Sequence, residues 1–242
     1  MGKWGITMLV SWKRSLQLAY YNHYLITKVN KEKYVNWLIV ELGLDNVTEE
    51  NINKELDHIL IGFNRLFKYK SITQASLGYF RMLDIVKSGD LYYPRIYVLL
   101  PMIKSYFQGR YYIKHDNWVS LWSKALNREN NLFVKMKVVS SKNVDQDHGI
   151  VLKMEQGLSI LHDVDNTKIP INFNPQLQSR RLIGYSKLLK DVMDQIESDQ
   201  TFDLDMDQFD VKDSIANCAF ENMLEWHPGF RFKENNPFFN LK

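Results

Sequence analysis

The sequence predicts an α+β protein: an antiparallel sheet built in the order βαββαβ, with helices on one face and further helices at both ends of the chain. Three observations carry this reading. Apolar residues recur at helical spacing over long stretches such as Thr48–Tyr69. Shorter runs rich in aromatic and β-branched residues lie between them, as in Tyr93–Pro101 and Leu132–Ser140. Two of these runs are joined by Ser88-Gly89-Asp90, a hairpin signal that sets its strands antiparallel.

The first helix, Ser11–Thr27, places Trp12, Leu16, Ala19, Tyr20 and Tyr24 on one face, with Lys13 and Arg14 near its start. Tyr34–Leu44 reads as a buried strand that Glu41 and Gly43 interrupt, and Asp45-Asn46 turns the chain. Thr48 is placed to cap the next helix, with Glu49 and Glu50 favouring its dipole. Ile52, Leu56, Ile59, Leu60, Phe63, Leu66 and Phe67 form its stripe. Gly78–Ser88 is a strand with apolar residues on both faces, and it carries Asp84. Tyr93–Pro101 is its hairpin partner. Ser105–Tyr112 is a loop around Gly109, and Asp116 then precedes a helix with Trp118, Val119, Leu121, Trp122 and Ala125 on its stripe. Leu132–Ser140 is the next strand.

Farther on, Gln178–Lys190 reads as a basic step, Arg180-Arg181, leading into an apolar helix through Val192 and Ile196. Phe202–Asp213 carries Asp203, Asp205, Asp207 and Asp210. It lacks the glycine turn and terminal glutamate of a calcium loop and reads as an acidic linker. Ser214–Trp226 is a short helix. The expected division is a core with its N-terminal helix over 1–170 and a C-terminal helical extension over 171–242, packed on the core.

Composition sets bounds. The chain has 242 residues, 45% of them hydrophobic and 24% charged, as in ordinary globular proteins. A net charge of +3 permits nucleic-acid binding without demonstrating it. The single cysteine, Cys218, excludes an intrachain disulfide and a cysteine-rich zinc site. No apolar run reaches the roughly 18–20 residues of a membrane span, and MGKWGITMLV is too short and mixed for a signal peptide. The expectation is a cytoplasmic protein with no membrane partner.

The stretch Leu91–Leu126, LYYPRIYVLLPMIKSYFQGRYYIKHDNWVSLWSKAL, resembles the core of the rolling-circle plasmid replication initiators (Rep proteins) of Gram-positive bacteria, a branch of the HUH endonucleases. Members of that family read close to YHPHFHVLLPV, then YF, YI and WVxLWxKAL. The frame Tyr92, Pro94, Val98–Pro101, Tyr106–Phe107, Tyr112–Ile113 and Trp118–Leu126 is kept. Flanking stretches fit in the same order: SWKRSLQLAY near the start, FNRLFKYK, GYFRMLDIV, QSRRLIGYSKLLK and EWHPG. The resemblance runs from about Trp12 to Phe230 and implies an HUH-like sheet. In the family two histidines hold a divalent metal that polarises a DNA phosphate. A tyrosine on a following helix attacks that phosphate, and a glutamate one turn earlier activates water.

This chain departs from the pattern at each of those positions. Tyr93, Arg95 and Tyr97 stand where the family has histidines. Asp84 matches the acidic position of the neighbouring strand and is the one metal candidate. Thr7 and Val10 replace a pair of zinc-site cysteines, so no zinc is expected. Glu155–Asn166 is the counterpart of the nucleophile helix: Glu155 matches the glutamate, and Asp163 and Asp165 the two aspartates. Ser159 falls at the nucleophile, and Asn166 at the final tyrosine. No tyrosine lies between Tyr112 and Tyr185. A serine hydroxyl needs a base or metal to ionise, and His162 or the more distant His148 would have to serve. Loss of metal ligands and nucleophile together points to lost nicking.

The expected function is therefore a degenerate initiator that binds DNA, origin-like and single- or double-stranded, through Lys13, Arg14, Arg95, Tyr97, Arg180 and Arg181. Arg95 would hold a phosphate with the charge once supplied by metal. An active initiator or host replication factors are the implied partners, and no cofactor is expected. Two other readings stand beside it. One is an active nickase that uses Mg²⁺ or Mn²⁺ with Asp84, Glu155 and His162. The other is a protein-interaction or inhibitor module on the same scaffold. A DNA binder should gather its basic residues on one face, and an interaction module should show an apolar patch there.

Overall fold

The computed structural model describes residues 3–140, 147–163, 177, 180–199 and 204–232. Within them one mixed, mainly antiparallel sheet runs β5 (Leu132–Val139), β1 (Val35–Leu44), β4 (Leu91–Ile103), β3 (Gly78–Ser88) and β6 (Ile183–Lys187). The two-residue β2 (Val47–Thr48) pairs antiparallel with the start of β4, and β7 (Gly229–Phe232) lies parallel to the far half of β3. The fold is α+β, as the sequence predicts.

Alternation along the strands sends apolar side chains to both faces. Leu38, Val40 and Leu42 of β1, with Leu83, Ile96, Val98 and Leu100, meet α2 (Ile52–Leu66) and α4 (His115–Leu126) on one face. Trp37, Ile39, Phe80, Met82, Tyr97 and Leu99 project to the other. There the terminal helices cover them: α1 (Lys3–Glu32), α5 (Asp147–Asp163), α6 (Leu188–Ser198) and α7 (Ser214–Met223). The α2–α4 layer is anchored by Trp118 and Trp122, both fully buried, and the Trp122 indole N–H donates to the carbonyl of Gly43 at 3.1 Å.

The β3–β4 hairpin forms as expected, with Gly89 at φ +58° in the turn. Three expectations shift. Thr48 does not cap α2, because Val47 and Thr48 pair with Tyr92 and Leu91 and the helix begins after Asn51. The helix expected to Tyr69 stops at Leu66, and α3 (Lys70–Ala75) follows as a separate turn. The apolar run after Arg181 is not helical at first. Ile183–Lys187 pairs with Gly78–Met82, so the open edge of β3 takes the segment as a strand. Lys187, at φ +48°, breaks the chain into α6. The C-terminal part thus adds two strands to the sheet as well as helices.

Asp165, Asn166, Gln178, Asp203 and the expected boundary at 170/171 lie outside the described residues, as do the side chains of Thr7, Val10, Trp12, His148 and Asp163. No helix among the described residues is long and apolar enough to cross a membrane.

Candidate functional site

On the sheet face covered by α1 and α7, polar and charged side chains of adjacent strands lie opposite one another in register. Asp84 of β3 lies opposite Arg95 of β4, and Tyr97 of β4 lies opposite Glu41 of β1. Arg95 and Tyr97 are two residues apart and share a face, while Ile96 between them joins the opposite core. This is the place the resemblance gives to the metal-binding histidines.

Asp84 is fully buried. The Nε–H of Arg231, carried in by β7, donates to its Oδ2 at 3.0 Å. The same guanidinium reaches the Tyr97 phenol. Trp226 stacks on Tyr97, with ring centroids 5.1 Å apart, and lies parallel to Phe80 at 6.2 Å. His227 is buried beside it, with Nδ1 3.3 Å from the Ser15 hydroxyl of α1. The segment that reads as WHPG followed by FRF therefore covers the site and supplies its cation.

Arg95 is held on the other side. Its guanidinium lies 3.7 Å from the centre of the Phe133 ring and donates to the Asp45 carboxylate and to the carbonyls of Leu44 and Pro94. Gly43 makes this possible. A Cβ there would overlap the Pro94 carbonyl oxygen and press on the Arg95 side chain at 3.0 Å. What reads as an interruption of β1 is the point where the arginine stem crosses it. Gly43→Ala is expected to lower stability by about 1–3 kcal/mol, seen as a lower urea midpoint at an unchanged slope.

Burial raises the Asp84 carboxyl to about 6, and the Arg231 charge opposes that rise. It is therefore ionised and paired at neutral pH. Burial, with Asp84 nearby, pushes the Tyr97 phenol up, so it stays neutral. Burial and the Arg231 charge pull the His227 imidazole down to about 4, so it too is neutral.

One feature of a cation cradle is present: Oδ1 of Asp84 is buried without a hydrogen-bond partner. The rest of the donor set does not fit a divalent metal. A metal here would face the Arg231 guanidinium on the same carboxylate, Arg95 in the neighbouring register position, and a neutral phenol where an imidazole would be needed. Among the described residues no three His, Cys, Asp or Glu side chains converge.

The other sequence-predicted residues are dispersed. Glu155 and Ser159 sit one turn apart on the exposed side of α5, whose buried side presents Ile150, Met154 and Leu158. His162 approaches the Leu204 carbonyl at 3.1 Å. Neither Glu155 nor Ser159 enters the buried pocket of Asp84. Lys13 is buried and Arg14 half-buried on α1, where burial pulls the Arg14 pKa down. Arg180 is tied to α2 on the opposite face, 2.9 Å from Asp57 and 3.0 Å from the Asn53 carbonyl. Arg181 is exposed and donates to the Ile183 carbonyl at 2.8 Å. The expected single basic face does not form, because Lys13 and Arg14 lie on α1 on one side of the sheet while Arg180 is tied to α2 on the other. The roles of Arg231, Asp45 and Trp226 escape a sequence reading: Asp45 reads only as a turn, Trp226 only as part of the EWHPG match, and the alternation of GFRF around Arg231 is too short to read as a strand.

The family model for replication proteins matches residues 8–235. A "Protein rep" of Bacillus amyloliquefaciens is 30% identical over 247 residues, which covers 92% of this chain and 73% of that protein. A "Protein rep" of Bacillus sp is 31% identical over 207 residues, 76% of this chain and 67% of that protein. A "Replication protein" of Staphylococcus aureus is 25% identical over 216 residues, covering 84% and 92%. No solved structure matches. With a family model spanning nearly its whole length and relatives of this kind in Gram-positive bacteria, the chain belongs to the replication protein family whose Rep members its Leu91–Leu126 core resembles.

Proposed function

We propose that this protein is a DNA-binding member of the replication protein family that does not nick DNA. One observation carries the second half of the reading: the Asp84–Arg231 pair under Tyr97 and Trp226 fills, with a fixed cation and a neutral phenol, the position the family gives to its metal. A guanidinium screens a carboxylate but cannot lower the pKa of an attacking group by coordination, as a divalent ion does. The exposed Ser159 has neither a tyrosine's acidity nor a base buried beside it. Family membership and the weakly basic charge support DNA as the ligand. No cofactor is required for this role. It is exercised in the cytoplasm, alongside an active replication protein or host replication factors.

The test uses supercoiled plasmids carrying replication origins from Gram-positive bacteria, with Mg²⁺ or Mn²⁺ present. Retardation of the plasmid without conversion to nicked circles is the expected result. Nicked circles that disappear in Ser159→Ala would overturn the non-nicking reading. Absence of any retardation would overturn the DNA-binding one.

A further inference from the structure

A second surface lies on the opposite side of the sheet, at the end where β4 runs out and β3 begins. The short helix α3 is flanked there by two grooves. One, of about 700 Å³, is lined by Lys70, Gln74, Arg110, Tyr111, Tyr112 and Asn117 among others. The other, of about 330 Å³, is lined in part by Lys68, Thr73, Tyr79 and Lys187. Lys68, Lys70, Arg110 and Lys187 are all exposed. No Asp or Glu is among the described residues lining either groove. Positive charge thus runs across both sides of α3 without an internal counter-charge.

The larger groove also offers ring faces. Tyr112, in its lining, is 42% exposed, and Phe107, outside the lining with its ring centre 5.9 Å from that of Tyr112, is 38% exposed. Both pack against Tyr106, which is fully buried, at centroid distances of 5.5 and 4.9 Å. The two rings are therefore held in place while a large part of each stays open to solvent. Arg110 adds a guanidinium beside Tyr111, 4.9 Å from that ring centre. Exposed aromatics anchored by a buried one present fixed apolar faces to a ligand. A purely apolar partner would leave the lysines and the amides of Gln74 and Asn117 without partners.

Rings for stacking, cations for phosphates and amides for base edges are together the chemistry of single-stranded nucleic-acid binding. Stacked bases of a duplex hide the faces these rings need. We infer that the groove between α3 and the Ser105–Lys114 loop, with its continuation past Lys68 and Lys187, is a binding track for single-stranded DNA, separate from the Asp84 site. The inference rests on the DNA-binding half of the proposed function and says where that contact is made.

Fluorescence anisotropy of the full chain with labelled oligothymidylate tests it. Tyr112→Ala should weaken binding about tenfold, the scale of one lost base stack, while circular dichroism stays unchanged. Arg110→Ala and Lys70→Ala should each reduce the slope of log affinity against log salt by about 0.7. Lys190→Ala, on the outer side of α6, should change neither quantity. If the wild type binds DNA and the Tyr112, Arg110 and Lys70 variants all match it, the track is wrong and the DNA-binding reading stands. If the wild type binds only duplex DNA, the choice of single strands is wrong. If it binds no DNA of either form, the DNA-binding reading itself fails and takes the inference with it.

Discussion

Arg231→Ala is expected to lower the unfolding free energy by about 3–5 kcal/mol at pH 7–8, the scale of a buried carboxylate deprived of its partner. Asp84 is fully buried and its Oδ2 depends on the Arg231 Nε–H. The other oxygen has no side-chain partner, and the remaining support, a backbone N–H at Ile85 and the Arg95 charge, is weaker than that of Arg231. Arg95 cannot turn to help, since Asp45, Leu44 and Pro94 hold its guanidinium. With Arg231 gone, the carboxyl should rise further above its present value of about 6 and take up a proton. The loss should therefore be smaller at pH 5 than at pH 8. Asp84→Asn in the Arg231→Ala background should recover part of the loss, because it removes the charge and keeps the shape. Urea denaturation of the single and double variants at both pH values measures all of this. A loss below about 1 kcal/mol would mean that the pair is solvated and screened. The buried-pair account of why these residues do not fit a metal would then fall.

Much of this was legible in the sequence, for reasons that differ from element to element. β3, β4 and α4 are strongly patterned: alternating or continuous apolar runs, a glycine hairpin, and two tryptophans at helical spacing. Local chemistry and tertiary packing agree there, so the expected bounds lie within a residue or two of the structure. β6 fails because RLIGYSKLLK is as good a helix as a strand by composition, and only the open edge of β3 decides between them. The same holds for the site. Asp84, Arg95 and Tyr97 could be picked out by comparison with a family pattern, and they do meet on one face of the sheet. What neutralises Asp84 could not, because Arg231 is 147 positions away and arrives by a parallel strand pairing that no short-range pattern encodes. Arg180 read as a phosphate contact because nothing nearby in sequence opposes it. Its partner, Asp57, comes from a helix 123 residues earlier.

The pH dependence of stability should separate the two buried titrating groups of the site, because their signs are opposite. Asp84 has a folded pKa of about 6, above its ordinary value of 3.8. The folded state therefore holds the proton more tightly, and this group's contribution is complete below about pH 4 and is lost as pH rises through 6. His227 has a folded pKa of about 4, below its ordinary 6.5. Its contribution is complete above pH 6.5 and is lost as pH falls towards 4. Each shift of about two units corresponds to roughly 3 kcal/mol. In the wild type the two nearly offset one another between pH 4 and 6.5. Removing either should expose the other. Asp84→Asn should make stability fall more steeply than in the wild type as pH drops from 6.5 to 4. The freed Arg231 charge then bears on His227 alone and deepens the effect. His227→Gln should turn the difference from the wild type the other way, with stability rising over the same descent. Every other carboxylate titrates in all three proteins and cancels from these differences. Denaturant midpoints at half-unit pH intervals would show it. Parallel profiles for wild type and both variants would mean that Asp84 and His227 are reached by water, and that the cover formed by Trp226 and β7 opens in solution.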